Sequence, residues 1–271
     1  MRNDLAAGAV KDKVRNFWDS EPCGTRYLLT PGDYAAHARA RYSLEPHIPA
    51  FAGFASAKGK RVLEIGVGLG ADYLEWLKSG AIATGIDLSP SSIEQAQRRC
   101  AEAGYQSNLQ VSDAENLAFH SNTFDIVYSY GVMHHSADVQ RCLDEAWRVL
   151  KPGGQARIML YHHPSLTGIM LWFRFGFLHL KSIRQTVYEQ LESPGTQSFS
   201  KTDVRNMMKA FEYVEIQQVF SPGDLLLHTP SSRFNGYFYR VAWVLYPRFI
   251  VRYLCRTTGL FLLVSASKPW S

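Results

Sequence analysis

The sequence lacks any pair of cysteines at the spacing of a zinc site or a redox-active motif. Its four cysteines, Cys23, Cys100, Cys142 and Cys255, are scattered over 271 residues. Without a C-x-x-C pair, neither a metal site nor a disulfide framework is expected. The simpler interpretation is reduced thiols in a cytosolic protein, and no metal ligand is assigned.

Long apolar segments are missing as well. Residues 1–5 carry no apolar run typical of a signal peptide. The nearest candidate for a membrane span, residues 166–180, is interrupted by Arg174 and His179. A span needs roughly 18 uninterrupted apolar residues. We therefore expect a cytoplasmic protein that is soluble or attached to the membrane periphery.

Charge of either sign is only mildly in excess. The chain has 29 lysines and arginines against 24 acidic residues, for a formal net charge of +5. It carries no dense basic run of the kind that binds a nucleic-acid backbone, so a nucleic-acid partner is not expected. Hydrophobic residues make up 46% of the chain, which is enough to build a packed core.

From about residue 60, short apolar segments alternate with amphipathic ones, which is typical of a parallel sheet built from βαβ units. Ser89 and Pro90 indicate a helix start, because serine caps the first turn and proline fits the first helical position. Ser200 and Asp203 have the spacing of a capping box. Residues 151–154 are predicted to end a helix as a turn. Strands are predicted at residues 61–65, 83–87, 109–112, 124–130, 156–161, 213–220 and 260–266.

The glycine-rich segment 64–71 is the most informative motif. Gly66, Gly68 and Ala71 satisfy the G-x-G-x-x-G/A fingerprint of dinucleotide sites. However, Glu64 stands two residues before the first glycine, where its carboxylate would repel a pyrophosphate and attract a cation. The segment therefore favours S-adenosylmethionine, which carries a sulfonium and an amino group, over a nicotinamide dinucleotide.

Two aspartates follow later strands. Asp87 closes the second strand, where a carboxylate can accept hydrogen bonds from both hydroxyls of a ribose. That role is shared by nicotinamide and adenosyl ligands. Asp113 follows the third strand, where it could accept a hydrogen bond from an adenine amino group; the alternative is a turn-forming aspartate.

Five motifs occur in order along the chain, at residues 62–70, 85–89, 113–115, 124–129 and 149–154. Together they resemble the successive motifs of class I S-adenosylmethionine-dependent methyltransferases. The resemblance covers residues 58–162 and is closest to the branch of ubiquinone/menaquinone-type and small-molecule enzymes. It implies an α/β fold with a Rossmann-like, doubly wound, seven-stranded sheet. That sheet would be mostly parallel with an antiparallel last strand, and helical cap segments would surround it.

The resemblance also implies S-adenosylmethionine as cofactor and S-adenosylhomocysteine as product. Glu64 and the glycine loop would hold the methionine part, Asp87 the ribose, and residues 113–114 the adenine. The full set of implied cofactor residues is Glu64, Gly66, Val67, Gly68, Gly70, Asp87, Leu88, Asp113, Ala114, Glu115, Ser129 and Tyr130.

A single domain over residues 1–271 is expected. It divides into an N-terminal lid (1–58), a cofactor-binding core (59–163), cap insertions (164–199 and 221–256) and segments that complete the sheet (200–220 and 257–271). Residues 14–19 resemble the leading helix that closes over the cofactor in this family. Tyr27, Arg41 and Tyr42 are candidate pocket residues on that lid.

Histidines are the candidate catalytic residues. His134 and His135 follow the fourth strand, and His162 and His163 follow the fifth. Both loops open at the same edge of a doubly wound sheet, where an imidazole can act as a general base near neutral pH. The alternative is that these rings pack or cap the next helix.

The expected activity is methyl transfer to a small molecule, with a lipophilic or aromatic acceptor as one hypothesis. Residues 166–180 and 237–254 combine apolar side chains with arginines, which fits a pocket wall, a membrane surface or simple packing. One alternative function is cofactor binding without transfer, as in a sensor or cyclase. Another is nucleic-acid methylation, although residues 129–132 do not match the Asn/Asp-Pro-Pro-Tyr/Phe motif of amino-methylating DNA enzymes. The sequence does not indicate the oligomeric state.

Overall fold

A twisted sheet of seven strands organises the computed structural model, which describes residues 11–19, 33–191, 195–227, 241, 243–255 and 257–270. The strand order is β3-β2-β1-β4-β5-β7-β6. Strands β1 to β5 pair in parallel, and β7 runs antiparallel to both β5 and β6. The predicted doubly wound sheet with an antiparallel last strand is therefore confirmed. The strands are β1 (Arg61–Ile65), β2 (Ile82–Asp87), β3 (Leu109–Val111), β4 (Phe124–Tyr130), β5 (Leu150–Tyr161), β6 (Glu212–Val219) and β7 (Phe261–Ser267).

Helices cover both faces of the sheet, and local signals set where several of them begin. Ser89 accepts a hydrogen bond from the Ser92 amide, and Ser200 and Asp203 form the reciprocal capping box that their spacing predicts. The helices are α1 (residues 11–19), α2 (Tyr34–Leu44), α3 (Ile48–Ala52), α4 (Ala71–Lys78), α5 (Pro90–Glu102), α6 (Val139–Val149), α7 (Leu166–Leu171), α8 (Ile183–Gln190), α9 (Lys201–Met207) and α10 (Arg248–Leu254).

Strand β5 begins earlier than predicted. The structure assigns it from Leu150, whereas the sequence indicates a turn at residues 151–154 and a strand start at 156. Leu150 pairs with Phe124, and the next registered pair is Gln155 with Ile126. The intervening residues therefore leave the strand ladder as a bulge, so the predicted turn is absorbed into the strand.

The core has two parts, one on each face of the sheet. Neighbouring residues of β1 belong to different parts, because side chains alternate along a strand: Leu63 packs with the α6 side and Val62 with the α4 side. Trp76 and Tyr128 are fully buried on the α4 side. With both faces covered, the carboxyl ends of the parallel strands remain as the edge where a ligand binds.

Candidate cofactor and acceptor site

The glycine loop after β1 is tied to the end of β2. The amides of Gly66 and Val67 donate to the Ile86 carbonyl oxygen at 2.7 and 3.1 Å. Gly66 has φ +82°, and a Cβ there would lie 2.1 Å from Cγ2 of Val132. Gly68 has φ +51°, but a Cβ there would meet no heavy atom of the described residues within 4 Å. The loop is therefore crowded at Gly66 and open at Gly68, and it ends at Gly70, which caps α4.

This difference predicts separate effects for two alanine substitutions. Gly66→Ala should lower the unfolding free energy by about 2–5 kcal/mol, because a left-handed backbone disfavours alanine and the new methyl group also collides with Val132. Gly68→Ala should cost about 1–2 kcal/mol of stability from its left-handed backbone alone. It should also weaken cofactor binding, since its methyl group enters the open side of the loop. Thermal unfolding and calorimetric titration with S-adenosylmethionine measure the two effects. Equal loss of stability in both variants would contradict the prediction.

Asp87 is held between the glycine loop and the start of α5. Its Oδ2 accepts from the Gly68 amide at 2.9 Å, and its Oδ1 accepts from the Ser89 amide at 2.9 Å. Burial raises the pKa of Asp87, and the backbone donors at Ser89 and Gly68 oppose that rise. A carboxylate oxygen has two lone pairs, so each oxygen keeps an acceptor position for a ligand hydroxyl. Leu88 is half-buried beside it.

Glu64 places a buried carboxyl at the end of β1. Its side chain is 3% exposed, and its Oε2 has no hydrogen-bond partner within the described ranges. Burial raises the pKa of this carboxyl well above its ordinary value, and the nearby Asp72 adds to the rise, while Arg41 and the indole of Trp76 oppose it. An unsatisfied buried acceptor costs free energy unless a donor reaches it. The position therefore suits a donor group that carries positive charge.

A buried ion pair behind the loop joins α2 to α4. Asp72 accepts from Arg41 Nε at 2.9 Å and Nη2 at 2.5 Å, and from the hydroxyls of Tyr42 and Tyr128 at 3.0 and 2.8 Å. Burial acts to raise the pKa of Asp72, but Arg41 outweighs it, so the pKa lies below its ordinary range. The sequence indicated Arg41 and Tyr42 as candidate pocket residues. It did not indicate Asp72 as their partner, because acidic residues are common in the first turn of a helix.

Strand β4 ends with Ser129 and Tyr130, both predicted to lie beside the cofactor. Ser129 is fully buried, and its Oγ has no hydrogen-bond partner in the part of the chain that the structure describes. The Tyr130 hydroxyl lies 2.7 Å from Nε2 of His47, and the Arg41 guanidinium lies 5.2 Å from the centre of its ring. The structure thus brings the end of β4 next to the Arg41–Asp72 pair.

Lys11 covers the site proposed for adenine. Asp113 Oδ1 accepts from the Glu115 amide at 2.9 Å, while Lys11 Nζ lies 2.6 Å from Oδ2 of Asp113 and 2.6 Å from Oε2 of Glu115. Glu115 also accepts from the Ser136 hydroxyl at 2.6 Å. Ala114 is half-buried and packs on the core. An adenine amino group that bonds Asp113 would therefore share or displace the contact with Lys11.

Helix α1 crosses the same edge of the sheet. Besides the Lys11 contacts at the end of β3, Asp19 accepts from the hydroxyl of Ser89, which follows β2. The Trp18 ring meets the His135 ring edge-on, with centroids 5.2 Å apart. The helix therefore lies where the resemblance expects a lid. Tyr27, the third lid candidate, and Cys23 lie outside the described residues.

The two histidines after β4 have different surroundings. His134 is fully buried and stacks on Tyr161 with centroids 3.8 Å apart, and burial lowers its pKa well below its ordinary value. His135 is 4% exposed, and its Nδ1 lies 3.2 Å from Oγ1 of Thr196. His134 is thus packed as a neutral ring inside the core. The orientation of the His135 ring is set in part by the contact between its Nδ1 and Thr196.

The candidate after β5 is held in a similar way. His162 Nδ1 lies 2.7 Å from Nε2 of Gln218, which also donates to the Gly259 carbonyl oxygen at 2.8 Å. Burial lowers the pKa of His162 to about 4, so the ring is neutral at pH 7. The neighbouring His163 also has a pKa below its ordinary value because of burial.

A segment that sequence reasoning missed joins these histidine loops. The Gln197 amide donates to the His134 carbonyl oxygen and the Phe199 amide to the Tyr161 carbonyl oxygen, each at 2.8 Å. Residues 195–199 therefore cross the ends of β4 and β5 and carry the threonine that contacts His135. The sequence offers only a polar, turn-like pattern there, with no motif that indicates a site.

Comparisons with known proteins agree with this geometry. A family model described as a methyltransferase domain matches residues 63–158. An uncharacterized protein of Mycobacterium tuberculosis is 35% identical over 148 residues, which are 54% of this chain and 53% of that protein. A ubiquinone biosynthesis O-methyltransferase of Coxiella burnetii is 36% identical over 98 residues, which are 36% of this chain and 42% of that protein. The chain thus spans about half the length, or less, of these curated relatives.

Solved structures show the same fold at low sequence identity. Phosphoethanolamine N-methyltransferase 2 of Haemonchus contortus has a TM-score of 0.59 and 20% identity, over 94% of this chain and 60% of that one. An S-adenosylmethionine-dependent methyltransferase of Methanosarcina mazei has a TM-score of 0.54 and 19% identity, over 82% of this chain and 98% of that one. Residues 63–158 match the methyltransferase-domain family, and the chain shares the Rossmann-like fold of these solved methyltransferase structures.

Proposed function

We propose that this chain transfers the methyl group of S-adenosylmethionine to a small lipophilic or aromatic acceptor. The observation that carries the proposal is that two different carboxyl groups end the neighbouring strands β1 and β2. Asp87 is fixed by the Gly68 and Ser89 amides, and Glu64 has a buried oxygen without a hydrogen-bond partner among the described residues. Asp87 suits the two ribose hydroxyls, and Glu64 suits the cationic amino group of the methionine part. A pyrophosphate would instead leave Glu64 facing negative charge.

The chain's own contribution to the reaction is mainly positioning. When bound, the cofactor supplies a sulfonium-activated methyl group, and the glycine loop with Asp87 fixes its orientation. Holding two reactants in line removes much of the entropic barrier to a displacement reaction. Helix α1 lies across the same edge through Lys11 and Asp19, where it shields the crevice from water.

Among the histidines, His135 is our candidate for the general base. Thr196 Oγ1 lies 3.2 Å from its Nδ1, and in the tautomer in which Nδ1–H donates to that oxygen, Nε2 is the proton-accepting nitrogen. His162 is a second candidate, although its Nδ1 already accepts from the Gln218 amide nitrogen, which leaves the ring proton on Nε2. His134 stacks on Tyr161 and is fully buried, so we assign it a packing role that shapes this wall of the crevice.

Aromatic rings on the acceptor side support an apolar substrate. Tyr161 at the end of β5 stacks on Phe261 at the start of β7, with centroids 5.8 Å apart and an interplanar angle of 8°. Tyr130 at the end of β4 meets the same Phe261 ring edge-on at 6.1 Å. Flat apolar walls with a few polar groups are typical of small-molecule sites. Tyr130, Tyr161 and Phe261 are buried in the core at the ends of their strands, so an acceptor that reached them would meet an apolar surface.

The test follows the transferred methyl group into chemical fractions. The purified protein is incubated with tritium-methyl S-adenosylmethionine and a bacterial total extract, which is then separated into organic-soluble, aqueous and nuclease-sensitive fractions. We expect label in the organic-soluble fraction, and a loss of about a hundredfold or more with His135→Gln while cofactor affinity is unchanged. The matched control is His120→Gln, an exposed histidine that is not among the residues assigned to the site.

Other outcomes would overturn parts of the proposal. Label that nuclease releases would favour a nucleic-acid methyltransferase. Cofactor binding without any label transfer would favour a sensor or a cyclase. An unchanged methyl-transfer rate in His135→Gln would show that His135 is not the general base. The base would then be His162, or the reaction would need none.

We also propose that the core, lid and cap elements act as one domain of a cytoplasmic protein. The supporting contacts run from Lys11 in α1 to Asp113 and Glu115 in the core, and from Thr196 in the cap to His135. Cooperative unfolding in one transition, followed by both fluorescence and circular dichroism, is the expected signature.

A further inference from the structure

The cap segments 166–191 and 241–255 carry most of the exposed large apolar side chains. Of the seventeen that the structure describes, twelve lie in these segments, so exposure is concentrated rather than scattered. They are Phe173, Phe177, Leu178, Leu180, Tyr188, Val241, Val244, Leu245, Phe249, Ile250, Tyr253 and Leu254. We call this set the cap surface.

Both segments are fixed to the same loop, at Asp224 and Leu225. Asp224 Oδ1 accepts from the Thr167 amide and hydroxyl at 2.8 Å, which anchors the start of α7. The Tyr246 hydroxyl donates to the Asp224 carbonyl oxygen at 2.9 Å, and Arg248 Nε donates to the Leu225 carbonyl oxygen at 3.0 Å. The start of α7 and the start of α10 are therefore anchored to the same loop.

The charges in these segments are almost all positive. Their sequences contain five lysines and arginines and one acidic residue, Glu189, which pairs with Lys181 at 2.5 Å. Arg174, Arg184 and Arg252 are exposed among the apolar side chains. Most of the formal net charge of +5 is thus concentrated around the cap surface.

We propose that the cap surface docks on the headgroup region of a bilayer that contains anionic lipids. Leu178, Leu180 and Phe249 are 85%, 96% and 83% exposed, so they protrude and can enter a fluid apolar layer. Arginines beside them attract anionic headgroups, as in interfacial segments of peripheral proteins.

A second copy of this chain is a poorer occupant. A twofold interface places the same surface against itself, which would bring two sets of positive charges together with few carboxylates to offset them. No helix of the described ranges is long and apolar enough to cross a membrane. Docking would therefore be interfacial, and it does not depend on methyl transfer.

The test compares co-sedimentation of the full chain with two kinds of vesicle. One is pure phosphatidylcholine, and in the other about a third of the lipid is phosphatidylglycerol. We expect binding to the anionic vesicles that weakens as salt increases. Arg252→Glu should weaken it about tenfold or more, and Phe249→Ser/Leu254→Ser should weaken it at least tenfold at any salt concentration.

The matched controls are Lys209→Glu and Tyr213→Ser, which change an exposed charge and an 85% exposed aromatic side chain outside the cap surface. They should bind vesicles like the unmodified protein. Equal binding to both vesicles, an equal loss in the controls, or a dimer that dissociates in the cap variants without vesicle binding would each overturn the proposal. Titration with S-adenosylmethionine should be unchanged in every variant, which separates this proposal from the catalytic one.

Discussion

Replacing Asp87 with alanine is expected to weaken binding of S-adenosylmethionine by more than about a hundredfold in calorimetric titration. A hydrogen bond to a charged acceptor contributes about 1.5–3 kcal/mol, and two ribose hydroxyls would lose theirs together. The substitution also releases the Gly68 and Ser89 amides, which the carboxylate holds at 2.9 Å. The loop therefore loses both its ligand contact and its anchor.

Asp87→Asn separates these two contributions. The amide keeps one acceptor oxygen and similar volume, so we expect a loss nearer tenfold. Asp144→Ala removes an exposed carboxylate on α6 and should leave affinity unchanged. Unaltered affinity in a folded Asp87→Ala protein, or tight binding of NADH in place of the adenosyl compounds, would refute the assignment of this carboxylate.

The second large effect is on stability. Arg41→Met should lower the unfolding free energy by about 3–5 kcal/mol, because it leaves the buried carboxylate of Asp72 without its cationic partner. The folded-state pKa of Asp72 lies below its ordinary value, so the pair stabilises the fold at neutral pH. That contribution is lost as the pH falls through the folded-state pKa. The gap between the unmodified and variant proteins should therefore narrow in acid.

The double variant Arg41→Met/Asp72→Asn provides the control in urea denaturation. The double variant has no charge at position 72, so it does not bear the cost of an unpaired buried carboxylate. We therefore expect the double variant to recover much of the stability that Arg41→Met loses. Tyr42 and Tyr128 donate to different oxygens of Asp72, so one hydroxyl can still donate to the Asn oxygen while the other can accept from the Asn amide nitrogen. If both variants are equally destabilised, the effect comes from lost packing of the arginine and not from the unpaired carboxylate.

Local signals explain why so much of the sheet was predictable. Each strand from β1 to β4 is a short apolar run with a glycine, aspartate or turn beside it, and the capping residues Ser89 and Ser200 act within three residues of themselves. The family match over residues 63–158 covers this same region. In this region, sequence motifs indicate structure because the contacts that form it join residues close together in the chain.

The rest of the site depends on contacts between distant residues. Lys11 reaches Asp113 across 102 positions, and Thr196 reaches His135 across 61. Nothing in the type or spacing of these residues indicates their partners, because the pairing arises only when α1 and residues 195–199 fold over the strand ends. The roles assigned to the cofactor and catalytic residues remain predictions until the variants are measured.

The contacts of α1 also set a kinetic constraint. Lys11, Trp18 and Asp19 bind groups that follow three different strands, so a molecule the size of S-adenosylhomocysteine leaves past this helix only after several contacts break. Ion pairs weaken as ionic strength rises. If the proposed activity holds, we expect turnover to be paced by helix opening and product departure, so that the residence time of the product depends on α1.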